Sequence, residues 1–329
     1  MAAPRLTDHD YIIFDVYGTL ADWETGIYEG LKPLLSRFPS ASRWSRSDAL
    51  RAFLAVESDL QTRYPSLLYS DLLAKVHEVL GARLTVAEAD LDLDGPRTVP
   101  TAAAGAEESI ATTSTSSASP NAHTIFGQSI KHWAPFPDSS KALHDLSTHY
   151  KLIVLSNVDH LSFAYTHGYL SEGISPPTDI QQSSPIYSRP SPNPHPRDLW
   201  LPQQTPDSKS PFSLIMTAQD AGAYKPALEG FNKVFETIRT EPSLLGSSLA
   251  EGKVTPTIED IKSRTLIVAQ SLLHDHGPAR RLGVRSVWID RQGAAFHPDD
   301  GGKDAGWGWR FETLGDMAQA VEKELQSGG

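Results

Sequence analysis

Four short runs of apolar, mostly branched residues are spread along the chain, and each stops abruptly at polar side chains. They read YIIF at 11–14 before Asp15, KLIVL at 151–155 before Ser156 and Asn157, SLIM at 213–216 upstream of Lys225, and TLIV at 265–268 upstream of His274 and Asp275. Short apolar runs bounded by polar or turn residues fit strands buried on both faces, and such strands belong to parallel sheets covered by helices. The stretches between them are long enough for the crossovers that parallel pairing requires. The chain is therefore predicted to be an α/β protein with a doubly wound parallel sheet. In open sheets of this kind ligands bind outside the carboxyl ends of the strands, which is where the four polar sets fall.

Asp15 carries the most chemistry. It follows an apolar strand and precedes Gly18 and Thr19 in the stretch YIIFDVYGTL at 11–20. A poorly hydrated carboxylate is a better nucleophile if a cation keeps it ionised. An Asp before Gly and Thr can equally cap the turn with its side-chain oxygen, and position alone leaves both readings open. The other strand ends favour the first. Together they place a hydroxyl and amide pair, a cation and a second acid on the same sheet edge as Asp15.

The order and spacing of these four sets resemble the motifs of the haloacid dehalogenase-like hydrolase superfamily, and within it most nearly the type II L-2-haloacid dehalogenase branch. Asp15-Val16-Tyr17-Gly18-Thr19-Leu20 is similar to that branch's first motif, Leu155-Ser156-Asn157 to its second and Tyr224-Lys225-Pro226 to its third. Trp288-Ile289-Asp290-Arg291-Gln292-Gly293 is similar to its last core strand and turn. The resemblance implies a Rossmann-like core at 1–22 and 125–329 with a helical cap inserted after the first strand, at 23–124. Helical periodicity in that block, through Ile27, Leu31, Leu34, Leu35 and Phe38, then Leu50, Phe53, Leu54 and Val56, then Leu68, Leu72, Leu73, Val76 and Leu80, agrees with a cap.

In the dehalogenase reading that the resemblance implies, Asp15 displaces halide from the 2-carbon of an (S)-2-haloacid and forms an ester, which water hydrolyses to a 2-hydroxy acid. Lys225 keeps Asp15 ionised, Thr19 supports the Asp15 loop, and Asp275 positions Lys225 or the water. Ser156 and Asn157 hold the substrate carboxylate, Tyr17 and His274 line the pocket, and Arg51 or Arg63 is the candidate halide ligand. The reaction needs no cofactor. Phosphate-transferring members of the superfamily carry a second Asp two residues after the nucleophile. Here Tyr17, too weak an acid to protonate a leaving alcohol readily, takes that place, and halide leaves without a proton. The alternatives are a Mg²⁺-dependent phosphatase, with Asp15 and Asp275 as oxygen ligands, and a non-catalytic binding protein on the same core.

The fourth motif departs from the branch. In Gln270-Ser271-Leu272-Leu273-His274-Asp275 the branch's Asn falls on Leu272 and its aromatic residue on His274, and a tyrosine that follows its lysine falls near Phe231. His274 and His276, two apart, also raise metal ligation, though no third and fourth ligand stands at useful spacing.

Composition narrows the partners. With 29 Lys and Arg against 40 Asp and Glu, the net charge is −11. With no dense basic run, nucleic acid and anionic membranes are poor partners. The chain has no cysteine, which suits a reducing compartment, and no stretch approaches the ~20 apolar residues of a membrane span. A cytoplasmic enzyme acting on a small anionic molecule is expected, with a homodimer as one possible assembly. Three polar stretches lie outside the motifs. Residues 100–121 are low in complexity and read as a flexible loop, 172–211 are dense in proline and read as a disordered insertion, and 241–263 lengthen a connection.

Overall fold

The computed structural model describes residues 3–92, 121–176, 184–245, 255–291 and 306–327. The predicted strands form one all-parallel sheet: β1 (Tyr11–Phe14), β2 (Lys151–Ser156), β3 (Phe212–Thr217), β4 (Thr265–Ala269), β5 (Arg285–Ile289) and a short β6 (Trp309–Phe311), in the order β3-β2-β1-β4-β5-β6. β6 has no counterpart in the sequence reading. Its three residues are half-buried or exposed and carry no apolar run. β1 lies between β2 and β4, with Phe14 opposite Val154 on one side and Val268 on the other. The chain builds outward from β1 to β3, then crosses to β4 on the far side. The strand order therefore reverses at β1, the kind of switch point where such sheets hold ligands.

Side chains of a strand alternate between faces, and both faces of β1 are covered. Ile12 and Phe14 join the cluster that includes Leu143 and Leu146 of α5 (Ser139–Ser147), Phe163 of α6 (His160–Glu172) and Met317 of α11 (Leu314–Ser327). Tyr11 and Ile13 join Phe231, Val234, Phe235 and Ile238 of α8 (Glu229–Thr240), Ile261 of α9 (Ile258–Ser263) and Ala279 of α10 (Gly277–Leu282). A short turn of helix, α7 (Ala218–Ala221), follows β3.

Between β1 and α5 the described residues hold helices and no strand, among them α1 (Trp23–Leu35), α2 (Arg46–Arg63), α3 (Tyr69–Asp92) and α4 (Ala122–Gly127). Their apolar stripes, Ile27 and Leu31, Leu50 and Phe53, Leu72 and Val76, meet in one core. α2 starts in a reciprocal cap, in which Ser45 Oγ accepts from Asp48 N at 3.2 Å and Asp48 Oδ2 accepts from Ser45 N at 3.1 Å. The stretch at 100–121, but for Asn121, lies outside the described residues, as do Gln292 and Gly293.

The expectation of disorder at 172–211 is corrected for 184–211. There the few apolar side chains, not the prolines, decide the outcome. Trp200 is 2 % exposed and stands edge-on to Phe163 at 6.0 Å, and its carbonyl accepts from Ile215 N of β3 at 3.0 Å. Buried His167 of α6 ties the segment at two points, Tyr187 O at 2.9 Å and Ser210 Oγ at 2.7 Å. β3 is an edge strand, and an uncovered edge invites pairing with other chains. The proline-rich segment covers part of that edge. Among the described residues no helix is long and apolar enough to cross a membrane.

Candidate active site

The end of β1 delivers Asp15 to the carboxyl edge of the sheet, where its N–H still bonds Val268 O of β4 at 3.1 Å. The chain then turns sharply through Gly18, whose φ of +99° favours glycine. A Cβ there would also lie 3.1 Å from Trp23 Nε1 and 3.3 Å from Gln270 Oε1. The turn brings Thr19 back under Asp15. Its hydroxyl donates to Asp15 Oδ2 at 2.7 Å and accepts from Gln270 N at 2.9 Å. Arg291, just beyond β5, holds the same turn by donating to Thr19 O at 2.8 Å, while Asp138 pairs with it at 2.6 Å.

Lys225 stands between two carboxylates. Its Nζ donates to Asp15 Oδ1 and to Asp275 Oδ1, each at 2.8 Å, and only 4 % of the residue is exposed. Burial alone would lower the pKa of this ammonium, but Asp15 and Asp275 outweigh it and raise it above the ordinary lysine value. Asp275 is driven the other way from most ion-paired carboxylates. Burial raises its pKa, Lys225 opposes this, and the Asp15 charge adds to the rise, leaving it at about 7. Its Oδ2 is buried without a hydrogen-bond partner among the described residues. Asp275 reaches this position because the chain after β4 makes one wide π-helical turn, Leu272–His276. The Lys225–Pro226 peptide is cis.

The remaining candidates divide. Ser156 Oγ, at the tip of β2, is buried and has no hydrogen-bond partner among the described residues. Asn157 is turned to the protein. Its Oδ1 accepts from Lys225 N at 2.6 Å and its Nδ2 donates to Lys225 O at 3.1 Å, so the amide grips the lysine backbone at both ends. Tyr17 shares a hydrogen bond with Thr166 Oγ1 at 2.9 Å and meets Trp133 edge-on at 5.3 Å. Burial raises the pKa of its phenol well above the ordinary value. Arg51 is 62 % exposed and paired with Asp48, and Arg63 is similarly exposed and paired with Asp59. His274 bonds Ser271 Oγ through Nδ1 at 3.1 Å, and burial with the Lys225 charge lowers its pKa to about 4. His276 uses both ring nitrogens inside the protein, on Ser286 Oγ at 2.8 Å and Ala269 O at 3.0 Å, so the two histidines do not converge on a metal. Phe231 is fully buried on the far face of the sheet.

A cavity of about 660 Å³ opens over Asp15, Tyr17, Ser156, Asn157, Lys225 and His274. Its opposite wall is α2, through Ser47, Arg51, Leu54, Ser58 and Gln61, a spacing of three and four residues that marks one helix face. Arg63 is not among the lining residues.

Glu57 and Tyr69 also line this cavity, and neither is evident from sequence, where an acid on a helix reads as a solvated residue. Glu57 is 8 % exposed, and Tyr69 donates to its Oε1 at 2.6 Å. Burial, partly offset by that hydrogen bond, raises its pKa from 4.5 to about 7. The folded state thus holds a proton that the unfolded chain has already released above its own pKa. The stability this contributes is full below about 4.5 and is lost as pH rises toward 7. E57Q, which cannot ionise, should therefore gain about 2 kcal/mol on the wild type between pH 5 and pH 8 in urea titrations. A difference that stays flat over that interval would contradict the buried, protonated carboxyl.

No family model and no curated protein sequence matches the chain. Solved structures do. A defluorinating L-2-haloacid dehalogenase superposes with a TM-score of 0.56 at 12 % identity, covering 98 % of this chain and 100 % of that one. The L-2-haloacid dehalogenase of Xanthobacter autotrophicus gives 0.52 at 12 %, covering 95 % and 98 %, and a second structure of it carries covalently bound chloropropionic acid. L-2-haloacid dehalogenase PA0810 gives 0.51 at 14 %, covering 95 % and 99 %. At such identities the likeness is one of fold.

Proposed function

We propose that this chain, which has the haloacid dehalogenase-like fold, is a hydrolase that works through an ester on Asp15 and displaces a halide-type leaving group from a 2-haloacid. The observation that carries the reading is the buried Lys225 ammonium held at 2.8 Å from Asp15, with Tyr17 where a proton donor for an alcohol would stand. Lys225 keeps Asp15 ionised and, with Thr19, orients it. An Asp15 oxygen attacks the carbon bearing the halogen. The new C–O bond forms as the C–X bond breaks, and halide departs with the electron pair. Water then adds to the ester carbonyl carbon, Cγ of Asp15, as one of its protons passes to Asp275. The bond from Cγ to the substrate oxygen breaks, Asp275 returns the proton to that oxygen, and a 2-hydroxy acid of inverted configuration leaves while Asp15 regains its carboxyl group. Asp275, whose pKa burial and the Asp15 charge push upward against Lys225, is a stronger base for that transfer than an ordinary carboxylate. Ser156 Oγ, unpartnered and buried among the described residues, is the donor for the substrate carboxylate, and Asn157 fixes Lys225.

The Mg²⁺ phosphatase reading fits these residues less well. Asp15 and Asp275 are both engaged by Lys225, Tyr17 replaces the second carboxylate, and no group of three metal-ligating side chains occurs among the described residues. A purely binding role leaves a buried Asp–Lys–Asp triad without a use.

The test is a panel in which halide release from short and longer 2-haloacids, and phosphate release from small esters, are each measured with and without Mg²⁺. Halide release independent of metal is expected. Metal-dependent phosphate release without halide release would replace this reading with the phosphatase one.

A further inference from the structure

The cavity is larger than a short haloacid requires. Its volume of about 660 Å³ falls within the ~300–1,000 Å³ of sites that enclose drug-sized molecules. Its charges are unevenly matched. Lys225 is shared by Asp15 and Asp275, Arg51 is paired with Asp48, and Glu24 lies 3.5 Å from Arg46. Glu57 alone of the cavity's carboxylates has only a neutral partner among the described residues, the Tyr69 hydroxyl on Oε1. Its second oxygen is not bonded there. Aromatic rings share its cavity, Tyr69, Tyr17 and Trp23, and ring faces attract cations.

We infer that Glu57 is a specificity-determining residue that binds a cationic nitrogen carried by the substrate at the end remote from the carbon that Asp15 attacks. The inference rests on the Asp15 reading only for which end of the substrate reacts. A buried carboxyl is costly to ionise alone and far less so beside a cation. An ammonium group entering the cavity would take Glu57 as its counter-ion while Tyr69 holds the carboxylate in place. An anionic group at the same point would meet an unmatched acid. The substrate class is thus an electrophile of the 2-haloacid type bearing an amine or quaternary ammonium substituent, not a short haloacid.

Calorimetric titration of the full chain at pH 8 with three probes of similar shape tests this without turnover: 2-phenylethylammonium, 2-phenylethanol and 3-phenylpropionate. The ammonium should bind about tenfold more tightly than the alcohol, and the carboxylate more weakly than either. E57Q should remove the ammonium preference and change alcohol binding by no more than about twofold, whereas D15N should retain the preference. Equal binding of the three probes, a preference for the carboxylate, or an ammonium preference that survives in E57Q would overturn the assignment. If circular dichroism shows E57Q unfolded, the wild-type ranking decides alone. Because these readouts involve no chemistry, failure of the halide panel and failure of this inference are separate results.

Discussion

Asp15→Asn should reduce turnover by a factor on the order of 10⁴ or more, because the amide has no anionic oxygen with which to attack carbon. The substitution keeps size and can still accept from Thr19, so the fold should survive, and circular dichroism alongside steady-state rates separates the two effects. The wild type offers a sharper form of the experiment. In a single turnover in ¹⁸O-water, the label should enter Asp15 and not the product, since the oxygen transferred to substrate comes from the carboxylate and water only repairs it. Label appearing directly in the product, or unchanged activity in D15N, would refute the covalent route.

Lys225→Met should be the most destabilising single change in the site. Lys225 is the shared partner of two buried carboxylates, and removing one member of a buried ion pair leaves uncompensated charge at a cost of about 3–5 kcal/mol. Without the ammonium that opposes its rise, Asp275 would bind a proton more readily still. The penalty should accordingly be greatest at high pH and shrink as pH falls, since a raised carboxylate pKa gives stability that is lost as pH rises. Urea midpoints at pH 5 and pH 8 measure this. A loss independent of pH would mean that the cavity left by the side chain, not the charge, dominates. Activity should disappear in either case.

The parts legible in sequence are those in which local residue type and burial agree. Strands buried on both faces must be apolar throughout, which is why four runs identified β1 to β4 and why Asp15, Ser156 and Lys225 could be assigned to one edge before any geometry was known. The role of Thr19 came only from the family resemblance. The rest depended on tertiary placement. The resemblance made Asn157 a substrate ligand, yet the Lys225 backbone takes both its ends. The segment 184–211 looked disordered because prolines outnumber apolar residues, but Trp200 and Tyr187 are sufficient to anchor it. Glu57 was hidden for a similar reason. The polar face of α2 at Ser47, Arg51, Ser58 and Gln61 has the periodicity of a solvated helix surface, and only the position of α2 opposite Asp15 turns it into a cavity wall.

The central place of β1 governs when the site can exist. Lys225 lies 210 residues beyond Asp15 in sequence and Asp275 another 50 further on, while the ion pair that closes β1 against β4, Asp10 with Arg264, spans 254 residues. At about 5–20 residues per second, the interval between making its two halves is on the order of tens of seconds. Throughout that time the first strand made has one or both edges without a partner, and contacts of such long separation form slowly even in the finished chain. The nascent protein must therefore shelter an apolar strand that ends in Asp15 until β4, which pairs Thr265 with Tyr11, has been made.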